Sequence, residues 1–280
     1  MKHIIFDIEV FAYDWIVVFN DGLNIVFHND YEGLAVWLEQ RRYDSIFFGF
    51  NNKHYDNHIL RAILGGFSPQ EVKKLNDFII SGNEGWDYAP LRMTPSLKLS
   101  TCDLTDDMQD GLSLKAIEAH LGMNIEESEV DFNIDRPLTA EELQSTIHYC
   151  KHDVYATERL YGLRKDYLDN KVYLGAKAGL SEAQSLYMTN AKLTSAYLKA
   201  QRREWNDERM YCFPTNVLYE YIPKQVIEFF DRLKNETLTD EEVFSGKLQL
   251  RIGECEVTLG FGGIHGAIPN YEEREEKNER

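Results

Sequence analysis

Two carboxylates lie two residues apart near the start of the chain. Asp7 and Glu9 fall within the mostly apolar run 3–10, a pattern that favours a β-strand. Side chains two apart in a strand point to the same face, so burial would bring both charges together at a cost in free energy. A metal ion or an arginine could compensate them. A strand edge in water needs neither, and the D-x-E spacing alone favours that simpler interpretation.

A second polar group follows the apolar segment 45–50, in the sequence N-K-H-Y-D from Asn52 to Asp56. Folds that alternate strands and helices place ligands where a strand ends, so this position suits a site. Asp56 is also explained as an acid in the first turn of a helix, and Asn52 as a helix cap. Alone, the motif favours that capping interpretation.

A third group, H-Y-C-K-H-D, occupies residues 148–153 within a predicted helix. Tyr149 and Asp153 are four residues apart and therefore share one helical face. A Tyr next to an Asp is often only packing with a hydrogen bond. His152 is interpreted as a surface histidine.

Together the three patterns resemble the DEDD superfamily of 3′–5′ exonucleases, in order, spacing and placement on strand, turn and helix. The resemblance covers residues 1–165. It implies two bound divalent cations, Mg²⁺ or Mn²⁺, which activate a water and stabilise the leaving oxygen. The metal ligands that it assigns are Asp7, Glu9, Asp56 and Asp153.

The residue that positions the water has two candidates. The superfamily divides by whether a Tyr four residues, or a His five residues, before the last Asp takes this role. This chain has both, Tyr149 and His148. We favour Tyr149, because it shares a helical face with Asp153 and because proofreading domains of polymerases use that arrangement. His148 remains the alternative.

Three further residues are candidates for binding a DNA 3′ end. Phe11 could stack on the terminal base, in a contact that tolerates any sequence. Asn52 could contact the backbone of the scissile nucleotide, and Tyr55, beside Asp56, is also assigned to DNA binding. Core packing explains Phe11 equally well.

The elements that must position these groups alternate between strands and helices, which predicts a mixed α/β sheet. The resemblance implies an RNase H-like (DnaQ-like) mixed sheet with flanking helices. The predicted strands are 3–10, 15–19, 23–28, 45–50 and 97–103, and the predicted helices are 31–42, 56–64, 112–121 and 140–163.

The exonuclease domain is expected to span 1–165. Residues 166–280 are predicted to form a mainly helical connector followed by a short β-hairpin of 247–252 and 254–259. Segments 185–194 and 258–267 resemble a helix and a glycine-rich turn that precede the palm in phage DNA polymerases, more of family B than of family A. The resemblance implies the palm and fingers of a parent chain as partners. A palm is expected soon after Tyr271, so we expect this chain to be the exonuclease half.

The chain has 47 acids against 30 Lys and Arg, a net charge of −17, which by itself disfavours a nucleic-acid binder. Residues 1–160 hold 27 acids and 13 bases, a net charge of −14, whereas residues 161–209 hold 6 acids and 9 bases, a net charge of +3. Two bound divalent cations would make the acidic half attractive to phosphate. DNA backbone contacts are expected in the basic helices of 161–209.

The remaining composition bounds the class of protein. No apolar run reaches about 18 residues, so no membrane helix is expected. The early charge at Asp7 argues against a signal peptide. Four widely spaced cysteines lack zinc-site spacing and favour a reducing compartment, the cytoplasm, or the host's cytoplasm for a phage protein.

The leading hypothesis is a metal-dependent 3′–5′ exonuclease that proofreads by removing nucleotides from single-stranded or frayed DNA 3′ ends. One alternative is a free-standing exoribonuclease of the same superfamily, which recognition of the 2′-OH would distinguish. Another is a non-catalytic nucleic-acid-binding module with the same fold. The presence of all four acids speaks against that module.

Overall fold

The computed structural model of the protein describes residues 1–108, 112–200, 219–233, 238–253, 255–260 and 263–267. The chain divides into two compact units, Met1–Gln201 and Arg202–Arg280. Each unit contains its own β-sheet, one of five strands and one of three.

Five strands of the first unit form one mixed sheet in the order β3-β2-β1-β4-β5. Strands β1, β2 and β3 are antiparallel neighbours, and β4 and β5 run parallel to β1. Gly22 has a positive φ of 108° in the turn between β2 and β3, which favours glycine there. The strands are β1 (Lys2–Val10), β2 (Trp15–Asn20), β3 (Asn24–His28), β4 (Ser45–Gly49) and β5 (Thr101–Asp103).

Eight α-helices flank this sheet within the described part of the unit. They are α1 (Tyr31–Glu39), α2 (Asp56–Leu64), α3 (Pro69–Ile80), α4 (Ala89–Arg92), α5 (Leu114–His120), α6 (Ala140–Lys177), α7 (Glu182–Tyr187) and α8 (Asn190–Tyr197). Thr139 and Glu142 cap the start of α6 reciprocally, as the sequence predicts. No helix in the described residues is both long and apolar enough to span a membrane.

Alternate residues of β1 contribute to two separate cores. Ile4, Phe6 and Ile8 belong to the core shared with α1, α2 and α3. Ile5 belongs to the opposite core, which includes Cys150 of α6. Because Asp7 continues the alternation begun at Ile5, it faces α6.

The mixed α/β sheet with flanking helices confirms the coarse fold class. Helix α6 continues to Lys177, beyond the predicted end at 163, and the compact unit continues to Gln201. The expected domain boundary at 165/166 therefore falls inside a helix. The physical reason is that α7 packs back on α6, where Leu168 and Leu186 share one core.

One glycine of α6 is required by this packing. A Cβ added to Gly175 would lie 1.8 Å from Ser185 Oγ of α7, and Ser185 is fully buried. The two helices therefore approach too closely for any side chain at this position. Residues 185–194, expected to form one helix, divide at Thr189, whose hydroxyl caps the start of α8.

The second unit contains α9 (Lys224–Leu233), α10 (Asp240–Ser245) and the strands β6 (Lys247–Ile252), β7 (Cys255–Gly260) and β8 (Gly263–Ala267). The predicted hairpin is confirmed as the antiparallel pair β6–β7, with Gly253 at a positive φ of 61°. Most of the expected glycine-rich turn at 258–267 is instead strand, because β8 pairs with β7. Residues 261–262 of that segment, and Tyr271, lie outside the described residues.

We predict that Gly175→Ala lowers the free energy of unfolding by about 1–3 kcal/mol, since its methyl group displaces α7. Gly162→Ala in the same helix is the matched control, because its Cβ would meet nothing within 4 Å. That control should gain up to about 1 kcal/mol from helix propensity. Urea unfolding measures both, and equal effects of the two substitutions would contradict the close α6–α7 contact.

Candidate active site

Asp7 and Glu9 lie side by side on β1, the central strand of the five-stranded sheet. Burial, and then the nearby charge of Asp153, raise the pKa of Asp7 to about 8. Burial also raises the pKa of Glu9 well above its ordinary range, and Asp7 is its next largest cause. Water therefore screens the repulsion between the two carboxylates only weakly when both are ionised.

Asp56 is the first residue of α2 and is buried. Its Oδ1 has no hydrogen-bond partner among the described residues. Burial raises the pKa of Asp56 well above its ordinary range, and the charge of Asp7 adds to this effect. A buried carboxylate oxygen without a donor is costly, so the position suits a cation.

Asp153 lies on α6, the helix that covers the face of the sheet to which Asp7 points, and it joins Asp7, Glu9 and Asp56 there. It is buried, and its charge acts on both Asp7 and Glu9. Its Oδ1 accepts a hydrogen bond from Lys115 Nζ at 2.6 Å. The structure thus brings together all four predicted metal ligands, from β1, the start of α2, and α6.

Tyr149 lies one helical turn before Asp153 and is partly buried at this group. Burial, and then the charge of Asp153, raise the pKa of its phenol well above the ordinary value. Lys115 Nζ lies 4.8 Å from the centre of its ring. The side chain of His148 is 76% exposed and contacts Glu126 instead, 3.3 Å away. The structure therefore places Tyr149, and not His148, beside the carboxylates.

The residues present fit hard divalent cations such as Mg²⁺ or Mn²⁺, which prefer carboxylate oxygen. Asp7, Glu9 and Cys150 each offer an atom within 4.8 Å of the other two. Burial raises the pKa of the Cys150 thiol well above its ordinary value, so the thiol stays protonated. It donates to Asp7 Oδ2 at 3.4 Å and so orients that carboxylate rather than competing as a ligand.

Three contributors to the site were not identified from the sequence. Lys115 pairs with Asp153 from a separate helix, and Cys150 looked like an ordinary buried cysteine. Asp103, at the end of β5, accepts backbone N–H bonds from Asn51 and Lys53, both at 2.9 Å. An Asp that ends a strand is a recognisable turn signal, although its partners 50 residues away are not.

The residues predicted to bind DNA do not present a common surface. Phe11 is fully buried and stacks on Phe132, with ring centres 5.0 Å apart. The Tyr55 hydroxyl donates to Asn76 Oδ1 of α3. In this arrangement Phe11 has no exposed surface on which a base could stack.

Asn52 is a correction to the expected backbone contact, because it has no exposed surface. With its amide nitrogen turned toward the strand ends, it donates to the carbonyls of Gly49 and Cys102, at 3.3 and 3.2 Å. It therefore ties the end of β4 to β5. Gly49 permits this contact, since a Cβ there would lie 2.7 Å from the Asn52 Cβ.

No protein-family model matches the chain, and no curated protein matches it.

We predict that Asp7→Asn stabilises the metal-free protein at alkaline pH. The pKa of Asp7 rises from 3.8 to about 8 on folding, so the unfolded chain loses its proton first. The free energy of unfolding therefore falls as pH rises from about 4 to about 8.

Asp7→Asn should remove this loss and so raise the free energy of unfolding by about 2 kcal/mol at pH 8. The gain is smaller than the full pKa shift implies, because the neighbouring carboxylates still repel one another. At pH 4 the difference should vanish. Denaturant unfolding in EDTA measures it, with the exposed Glu127→Gln as control. A variant less stable than wild type at pH 8 would contradict the repulsion.

Proposed function

We propose that the protein is a divalent-metal-dependent 3′–5′ exonuclease of the DEDD type. It removes nucleotides from single-stranded or frayed DNA 3′ ends, as the proofreading part of a phage DNA polymerase. The observation that carries the proposal is the convergence of Asp7, Glu9, Asp56 and Asp153 into one group, in which all but the partly exposed Asp7 are buried. Stable folds rarely gather four carboxylates and bury most of them unless a cation compensates their charge.

The strand order supports the same assignment. Three antiparallel strands followed by two strands parallel to the first is the sheet expected for an RNase H-like fold. In this sheet the carboxylates of β1 lie beside the start of α2 and the middle of α6. The three motifs, which are far apart along the chain, therefore lie close together in the fold.

The assignment to a polymerase rests separately on the sequence resemblance of residues 185–194 and 258–267 to segments that precede a palm, although the first forms two helices and most of the second is strand. Residues 161–209 carry a net charge of +3, which suits contacts with a DNA backbone. The palm and fingers of a parent chain are the proposed partners.

The four carboxylates would hold two divalent cations, and those cations supply activation of the attacking water and stabilisation of the leaving oxygen. Tyr149 keeps its proton, because its pKa lies above the ordinary value of a phenol. It can therefore position a water through its hydroxyl, but it cannot act as a base at neutral pH. The Lys115 ammonium offsets the charge of Asp153, to which it donates.

We predict that the protein shortens 5′-labelled single-stranded DNA from the 3′ end in Mg²⁺ or Mn²⁺. Asp7→Ala/Glu9→Ala should lower the rate by at least about 100-fold, because most catalysis at such sites is electrostatic. EDTA should also stop degradation. The matched control is Glu127→Ala/Glu129→Ala, which removes two exposed carboxylates at the same spacing.

Full activity of the Asp7→Ala/Glu9→Ala variant would show that the site is assigned wrongly. RNA of the same sequence should be degraded more slowly than DNA. A faster rate on RNA would favour the exoribonuclease alternative, in which the 2′-OH is recognised. Binding of DNA without degradation in either metal would favour the non-catalytic module.

We predict further that Tyr149→Phe lowers kcat by about tenfold or more, since it removes the hydroxyl but keeps the ring. His148→Ala should retain most of the activity when Mg²⁺ is the only divalent ion present, because its side chain points away from Asp153. Steady-state rates on the same oligonucleotide compare the two. An inactive His148→Ala beside an active Tyr149→Phe would reverse the assignment.

A further inference from the structure

A second group of histidines and glutamates lies beside α6. His148 and His152 are four residues apart and share a helical face. Glu126, from the irregular segment between α5 and α6, contacts both of them with its two oxygens. Its Oε2 lies 3.3 Å from His148 Nε2, and its Oε1 lies 3.6 Å from His152 Nδ1.

Behind His152 lies a buried carboxylate that makes two ion-pair contacts but no hydrogen bond. Glu118 of α5 is 0% exposed, and neither of its oxygens makes a hydrogen bond within the described residues. Its Oε1 lies 3.3 Å from His152 Nε2, and its Oε2 lies 3.5 Å from Lys115 Nζ. A buried carboxylate is costly unless a nearby cation or donor compensates it, and the His152 ring and the Lys115 ammonium are the groups that contact Glu118.

We propose that His148, His152 and Glu126 form a binding site for a transition-metal ion of the Zn²⁺ class, with Glu118 orienting His152. Imidazole nitrogens with one carboxylate are a ligand set that zinc prefers, and a water would complete four-coordination. A histidine that binds metal through one nitrogen usually donates its other N–H to a carboxylate. Glu118 Oε1, 3.3 Å from Nε2, is the carboxylate within reach, although neither atom makes a hydrogen bond within the described residues, and Nδ1 is left for the metal.

The exposure of these groups allows them to converge on an ion. His148 is at the surface and Glu126 is partly exposed, so both side chains can adjust. His152 is nearly buried and is the fixed ligand. The nitrogen-rich set differs from the carboxylates around Asp7, so the two sites select different metals.

The position of Glu126 determines what the ion would do. Residues 121–139 between α5 and α6 contain neither helix nor strand, and Phe132 of this segment covers Phe11. Metal binding would link the segment to α6 through Glu126. The ion would therefore hold in place the residues that cover Phe11.

The test is Zn²⁺ binding by isothermal titration calorimetry to the chain carrying Asp7→Asn/Glu9→Gln, which weakens the carboxylate site. We expect one Zn²⁺ per chain. Glu126→Gln and His148→Ala, both outside the core, should each weaken binding by at least about tenfold, and Glu118→Gln by about 10- to 100-fold. The exposed substitutions Glu127→Gln and His120→Ala should leave the affinity unchanged.

Absence of Zn²⁺ binding in this background would overturn the proposal, and so would binding that is insensitive to both Glu126→Gln and His148→Ala. Binding that appears in the wild type but disappears with Asp7→Asn/Glu9→Gln would do the same, because the ion would then belong to the carboxylates. Nuclease activity is not measured in this experiment. Its outcome is therefore independent of the proposed exonuclease.

Discussion

The mutual repulsion of four clustered carboxylates, three of them buried and Asp7 partly exposed, is the constraint on which the rest of the structure depends. Burial and like charge raise the pKa values of Asp7, Glu9 and Asp56 together, so each makes the others costlier to ionise. Lys115 is the cation that contacts this group, and of the four carboxylates it donates a hydrogen bond to Asp153. The folded state therefore stores an electrostatic cost that a bound divalent cation would relieve.

The surrounding elements hold the carboxylates against that repulsion. β1 is the central strand of the sheet: Asp7 and Glu9 are paired with β2 on one side, and Lys2–Ile5 of the same strand are paired with β4 on the other, which fixes the position of the strand. Asn52 and Asp103 fix the turn before α2 by bonding backbone groups of the strand ends and of the turn. Such preorganisation would favour the binding of a cation in fixed geometry. These two residues thus act on the site through the backbone and not through contact with a ligand.

The sequence allowed the elements to be predicted where a local pattern is sufficient. Alternation in β1 and the four-residue spacing of Tyr149 and Asp153 assign each carboxylate to a face, and the capping pair of α6 marks a helix start. Helix α3 has the same kind of signal, because Ser68 and Glu71 form a capping box, but it was not predicted. Residues 166–280 were expected to be mainly helical, but the unbroken continuation of α6 to Lys177 was not predicted, because it is stabilised by packing against α7.

The tertiary contacts of the site had no local signal. Lys115 reaches Asp153 across 38 residues, and Asp103 bonds a turn about 50 residues earlier. Phe11 and Asn52 were assigned to DNA by their position next to the motifs, whereas position cannot tell an exposed residue from a buried one. The structure buries both, since Phe132 covers Phe11 and two strand ends enclose Asn52.

The most direct test of the carboxylate site counts bound Mn²⁺ by the electron paramagnetic resonance signal of the free ion. Mn²⁺ favours oxygen ligands over the histidine-rich cluster on α6. The wild-type chain should bind two Mn²⁺ ions, and Asp56→Asn should lower that number or weaken binding by at least about tenfold. Equal Mn²⁺ binding by wild type and Asp56→Asn would contradict the claim that these carboxylates form a metal site.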